Sequence, residues 1–105
     1  MDKIKFDTPL CELAYKYGSD KCPQISHSYT PRYYEMFNGR RSEIKKVLEI
    51  GIGNPEIMTH SPHYITGASL YMWRDFFPKA IIYGADILES CMLKEDRIET
   101  FLCDQ

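Results

Sequence analysis

Apolar and polar positions along the chain alternate between a helical and a strand rhythm. Leu10, Leu13, Ala14 and Tyr17 fall at i, i+3, i+4 and i+7, the stripe of a short amphipathic helix, with Thr8 as its cap, Pro9 at its first position and Gly18 at its end. Residues 19–30 are polar and punctuated and read as an ordered loop. A second helix follows over residues 31–37, capped by Thr30 and entered through Pro31, with Tyr33, Tyr34 and Phe37 as its apolar body and Asn38-Gly39 as its stop. Arg40 and Arg41 then read as solvated charges.

Val47, Leu48 and Ile50 make a short apolar run between two lysines and two glycines, the pattern of a parallel strand covered on both faces. A third helix spans residues 67–77, with Thr66 as cap, Leu70, Trp73 and Phe77 as its stripe and Pro78 as its stop. Residues 80–86 form a second strand ending in Asp86, residues 87–96 a loop or turn, and residues 97–105 a third strand ending in acid. Strand and helix alternate, so the fold class is α/β: a partial, three-layer Rossmann-like sheet of about three parallel strands preceded by one or two helices. Residues 1–44 read as a helical cap or lid, and residues 45–105 as the amino-terminal half of a cofactor-binding domain.

The chemistry concentrates after the first strand. Gly51 and Gly53 let the backbone turn sharply and approach a ligand closely. A dinucleotide-type fingerprint adds a third glycine opening a helix, then an acid about 20 residues on that takes the ribose hydroxyls. Here the third glycine is displaced by a loop over residues 54–66; Gly67 opens the helix, and Asp86 lies 19 positions after it. Glu49 decides the cofactor. A carboxylate beside the turn repels a pyrophosphate and attracts an ammonium, which disfavours a nicotinamide or flavin dinucleotide. The first amides of the third helix, with the Ser69 hydroxyl, suit a ligand carboxylate.

These residues resemble the class I S-adenosylmethionine-dependent methyltransferases. Residues 47–53, Val-Leu-Glu-Ile-Gly-Ile-Gly, are similar to that family's first motif, Ile82-Tyr83-Gly84-Ala85-Asp86 to its second, and residues 97–105 to its third. Gly18-Ser19-Asp20-Lys21, His27-Ser28-Tyr29 and residues 67–78 are similar to a bacterial subgroup with sugar-hydroxyl O-methyltransferases of antibiotic biosynthesis, so the resemblance covers roughly residues 15–105. It implies S-adenosylmethionine as cofactor, held by Glu49, Gly51, Gly53, Gly67, Ser69, Asp86, Asp104 and Gln105. Asp86 takes the ribose, and Asp104 or Gln105 meets the adenine amino group, with Ile87, Leu88, Met92 or Leu93 against the adenine face. His27 and Tyr29 fall in a loop that folds over the cofactor or substrate mouth. The implied reaction is O-methylation of a small-molecule or sugar hydroxyl. The strands that would bring acceptor contacts, the catalytic base and any magnesium ligands have no counterpart in these 105 residues, so the chain reads as an amino-terminal part of that fold. The alternative is a non-catalytic nucleoside-binding or interaction module on the same fold.

Composition narrows the partners. With 44% hydrophobic and 27% charged residues and a formal net charge of −2, the chain is an ordinary globular one. Lysines and arginines are scattered, which excludes the footprint of a nucleic-acid binder. No apolar run approaches the ~18 residues that span a bilayer, so no membrane partner is expected and a cytoplasmic setting is the default. Cys11, Cys22, Cys91 and Cys103 form no C-x-x-C pair and are expected to be reduced thiols. His60 and His63, three apart in the inserted loop, lack an acid or cysteine at ligand spacing, so no metal site is assigned. A sheet of three strands leaves an open edge, through which a homo-oligomer could form.

Overall fold

A computed structural model of the chain describes residues 5–25, 28–53 and 64–104. Helix α1 (Pro9–Tyr17) is bounded as its caps dictate. The Thr8 hydroxyl accepts the Cys11 N–H at 3.1 Å, and Gly18 turns left-handed at φ 80° to close the last turn. Helix α2 (Thr30–Phe37) begins earlier than the sequence pattern places it, and Thr30 does not cap it. The Lys21 carbonyl accepts the Tyr29 and Thr30 amides, at 2.9 and 3.1 Å. The Thr30 hydroxyl is thereby released to donate to the Cys11 sulfur at 3.0 Å inside the core.

Strands β1 (Lys46–Ile50), β2 (Ile81–Asp86) and β4 (Ile98–Leu102) are parallel. A two-residue strand β3 (Lys94–Glu95), in a stretch expected to be loop, pairs antiparallel with β4, giving the sheet order β1-β2-β4-β3. Parallel register sets Leu48 beside Tyr83, and Ile50 beside Ala85 and then Phe101. On the opposite face Ile82 and Ile98 are fully buried against the helices.

The expectation that β1 is covered on both faces is corrected. Leu48 is 62% and Ile50 58% exposed, and Ile81 and Phe101 share their face, because α3 (Ala68–Phe76) packs on the other side of the sheet, with α1 against α3 and α2 against α1. An apolar run shows that a strand can be buried, and what packs on it decides whether it is.

Helix α3 (Ala68–Phe76) carries that packing. Its N-cap is Gly67 at φ 79°, with no side-chain cap, so Thr66 does not play the role expected of it. The left-handed turn at Gly67 separates Thr66 from the helix's first amides. A Cβ at Gly67 would collide with Leu93, and one at Gly84 would sit 2.8 Å from Leu70 Cδ1 and 3.1 Å from Ile52 Cδ1. Both glycines therefore let α3 lie close on the sheet. Leu10, Cys11, Ala14 and Cys22 join Leu70, Phe76, Ile82 and Ile98 in one core, which ties the first 44 residues to the sheet. Trp73 is a core anchor, stacked on Phe77 with ring centroids 5.6 Å apart.

Arg41 is not a solvated charge. It donates to the Phe76 carbonyl at 2.9 Å and lies 4.2 Å over the Phe76 ring. No disulfide joins any of the four cysteines, and Cys11, Cys22 and Cys91 are buried. No helix of the described residues is long and apolar enough to cross a membrane.

Candidate functional site at the carboxyl ends of β1 and β2

The chain leaves β1 through Gly51 at φ 91° and Gly53 at φ 81°, conformations that a side chain strains. The Gly51 amide donates to the Ala85 carbonyl at 2.7 Å, which fixes the turn to the end of β2. Among the described residues nothing lies within 4 Å of where a Cβ on Gly51 would stand. A cavity of about 350 Å³ is bounded by the residue 51–53 turn, Asp86, Ser69, Tyr64, Asp20 and Lys21. It occupies the crevice beyond the carboxyl ends of parallel strands, where open α/β sheets place their ligands.

Asp86 closes β2 and reaches back over the turn. Its Oδ2 accepts the Ile52 amide at 2.8 Å and the Gly53 amide at 3.3 Å, and its Oδ1 accepts the Leu88 amide at 3.0 Å. Burial pushes the carboxyl up, but the three amides outweigh it and hold it below the usual carboxylate range. The Cys91 side chain is a fourth hydrogen-bonding neighbour of this carboxylate, and Asp86 itself lines the cavity.

Glu49 lies one pleat behind the turn. Its Oε1 pairs with the Lys21 ammonium at 3.3 Å, and its buried Oε2 has no hydrogen-bond partner among the described residues. Burial raises the carboxyl above its ordinary value, and Lys21 counters it. Glu49 is not among the described residues that line the 350 Å³ cavity; its link to that space is Lys21. It borders a second groove of about 340 Å³, walled by Tyr33, Phe37, Val47, Trp73 and Phe77 along β1.

Ser69, in the first turn of α3, sits with its hydroxyl 3.2 Å from that of buried Ser19, which in turn accepts the Lys21 amide at 3.3 Å. Tyr64 donates to the Ile52 carbonyl at 2.7 Å, and burial drives its phenol above the ordinary range, so it is a fixed donor here and not a base.

Of the residues expected at the site, Gly51, Gly53, Ser69 and Asp86 converge on this cavity. Gly67 stands behind it, against Leu93. Asp104 is exposed beyond the end of β4 and is not among the lining residues. Ile87 and Leu88 are exposed, while Met92 and Leu93 border a separate opening beside β4. Tyr29 is 48% exposed at the start of α2. His27, Gln105 and the inserted loop with His60 and His63 lie outside the described residues. Asp20, Lys21 and Tyr64 line the cavity without having been singled out as ligands. For the first two a signal existed, since opposite charges stand side by side in the Gly18-Ser19-Asp20-Lys21 motif. Among the described residues no three of His, Cys, Asp and Glu gather as a metal site.

No family model matches the chain. It is 38% identical over 96 residues to mycinamicin VI 2''-O-methyltransferase of Micromonospora griseorubida, a match covering 91% of this chain and 23% of that enzyme. To demethylmacrocin O-methyltransferase of Streptomyces fradiae it is 40% identical over 96 residues, with the same coverage. Among solved structures, MycE methyltransferase in complex with Mg, SAH and mycinamycin VI superposes with a TM-score of 0.74 at 38% identity, over 92% of this chain and 25% of that one. Sequence and fold match one segment of the antibiotic-sugar O-methyltransferases. The chain spans about a quarter of the length of the curated relatives it matches.

Proposed function

We propose that this chain forms the methyl-donor site of an S-adenosylmethionine-dependent O-methyltransferase acting on a sugar hydroxyl of a small molecule. The observation that carries the reading is Asp86, a carboxylate that closes β2, grips the Ile52 and Gly53 amides and lines the 350 Å³ cavity. Vicinal ribose hydroxyls are the donors such a group takes at the end of a second Rossmann strand. Gly51 and Gly53 give the ligand close access to backbone, and Ser69 with the opening turn of α3 offers a hydroxyl and amides to a carboxylate. Asp20 and Asp86 bring two acidic side chains to the cavity wall, which opposes a pyrophosphate there. Gly67 keeps α3 close enough for Ser69 to reach the cavity, and Asp104 remains a candidate for the adenine edge.

When bound, S-adenosylmethionine supplies an electrophilic methyl carbon for in-line attack by an acceptor oxygen. The residues of this segment bind and orient the donor, and the base that takes the acceptor's proton is assigned to none of them. Magnesium accompanies SAH in the solved neighbour, and its ligands are assigned to no described residue of this chain.

Calorimetric titration with S-adenosylhomocysteine tests the reading. The wild-type chain binds it in preference to NADH, and Asp86→Ala weakens binding on the order of tenfold or more, from the loss of charge-assisted hydrogen bonds. Equal binding by wild type and variant, or a preference for NADH, sinks the proposal.

A further inference from the structure

One peptide plane in the glycine turn after β1 is held at both ends. The plane joins Ile52 to Gly53. Its N–H, on Gly53, donates to Asp86 Oδ2 at 3.3 Å, and its carbonyl, on Ile52, accepts the Tyr64 hydroxyl at 2.7 Å. Glycine takes positive and negative φ about equally well, so with Gly53 at φ 81° the plane can swing over at little steric cost unless something holds it. Swinging over withdraws the Gly53 amide from Asp86 and turns the Ile52 carbonyl toward that carboxylate, acceptor against acceptor. The Gly53 bond is the longer of the two amide bonds to Oδ2, against 2.8 Å for the Ile52 amide, so Asp86 alone is a weak anchor for this plane. Tyr64 is the firmer one. It is buried, the next amide, of Ile65, donates to the Tyr17 carbonyl of α1 at 3.4 Å, and the Ile65 carbonyl accepts the Ala68 amide at 3.0 Å where α3 begins.

We propose that Tyr64 is a positioning residue for the ligand site: its hydroxyl latches the Ile52–Gly53 peptide plane, which keeps the Gly53 amide on Asp86 and the carboxylate seated at the cavity wall. This rests on the donor reading above and goes beyond it by giving a role to the segment that enters α3. The latch brings three stretches distant in sequence, the turn after β1, the end of β2 and the entry to α3, onto one peptide. Ring and hydroxyl act separately, since the side chain lines the cavity while its oxygen orders the turn that bounds it. Burial raises the phenol above its ordinary value, so the hydroxyl remains a donor through the neutral range.

Tyr64→Phe removes the hydroxyl and keeps the ring. In the ligand-free full chain, amide-nitrogen relaxation dispersion is expected to show microsecond-to-millisecond exchange at Gly53 in Tyr64→Phe and none in the wild type, with the amides of α1 and β4 quiet in both. Affinity for S-adenosylhomocysteine is expected to fall about three- to tenfold in the same variant. Exchange spread through α1 and β4, or a fall in affinity with Gly53 quiet, means a structural role and overturns the latch. One further measurement needs no variant: the wild-type Tyr64 hydroxyl proton should exchange slowly enough to give its own resonance, and one merged with water overturns the latch. A wild type that binds S-adenosylhomocysteine no better than Tyr64→Phe does overturns the positioning role alone. A wild type that does not bind it overturns the donor reading and the positioning role with it.

Discussion

Two carboxyls thirty-seven residues apart in sequence respond to pH in opposite directions. Asp86 is held low by the Leu88, Ile52 and Gly53 amides, so the stability it contributes is present above its unfolded value and is lost as pH falls through its folded value. Glu49 is held high by burial, so its contribution is present below its unfolded value and is lost as pH rises through its folded one. Carbon-detected titration of the side-chain carboxyls is expected to find Glu49 above and Asp86 below the ordinary carboxylate range, with Lys21→Met moving Glu49 higher still. An unmoved Glu49 in that variant contradicts the ion pair as the restraining force. Asp86 was legible as a strand-end acid because motif spacing is local. Its bonds to the turn, and the Lys21 partner of Glu49, were not, since both join residues more than twenty-five positions apart.

At the scale of the element, Arg97 fastens α3 to the sheet. Its guanidinium donates to the carbonyls of Arg74, Phe77 and Ala80 at 3.0, 3.0 and 2.8 Å, satisfying groups at and beyond the end of α3. It does so from a left-handed backbone at φ 59°, in the turn between β3 and β4. Arg97→Ala should destabilise the fold by about 1–3 kcal/mol in denaturant unfolding, because several charge-assisted bonds go together. Arg97→Gly should recover about 1 kcal/mol of that by relieving the backbone. A glycine variant no more stable than the alanine one would show that φ carries no strain. The ends of α1 were legible because Thr8, Pro9 and Gly18 act on amides and carbonyls a few residues away. The starts of α2 and α3 were not: the Lys21 carbonyl, nine residues before Thr30, accepts the amides at the start of α2, and a left-handed Gly67 displaced Thr66.

For the whole molecule, one core joins the leading helices to a sheet whose other face is open. Leu48, Ile50, Ile81 and Phe101 make that face apolar, and no run of hydrophobic residues announces which side of a strand its neighbours will cover. The same lopsided layering leaves two cavities of similar size on either side of Glu49, one polar and set at the strand ends, the other aromatic and set along β1. Polar groups that converge at a strand end favour the first as the ligand site, and the match to SAH-bound MycE concerns this segment of that enzyme's fold.

Amide chemical-shift mapping of the full chain during titration with S-adenosylhomocysteine separates the two cavities most directly. The largest shifts are expected at Lys21, residues 51–53, Ser69 and Asp86, with Tyr33, Phe37 and Trp73 little moved. Shifts centred on the aromatic groove, or none at saturating ligand, would contradict a donor site at the ends of β1 and β2.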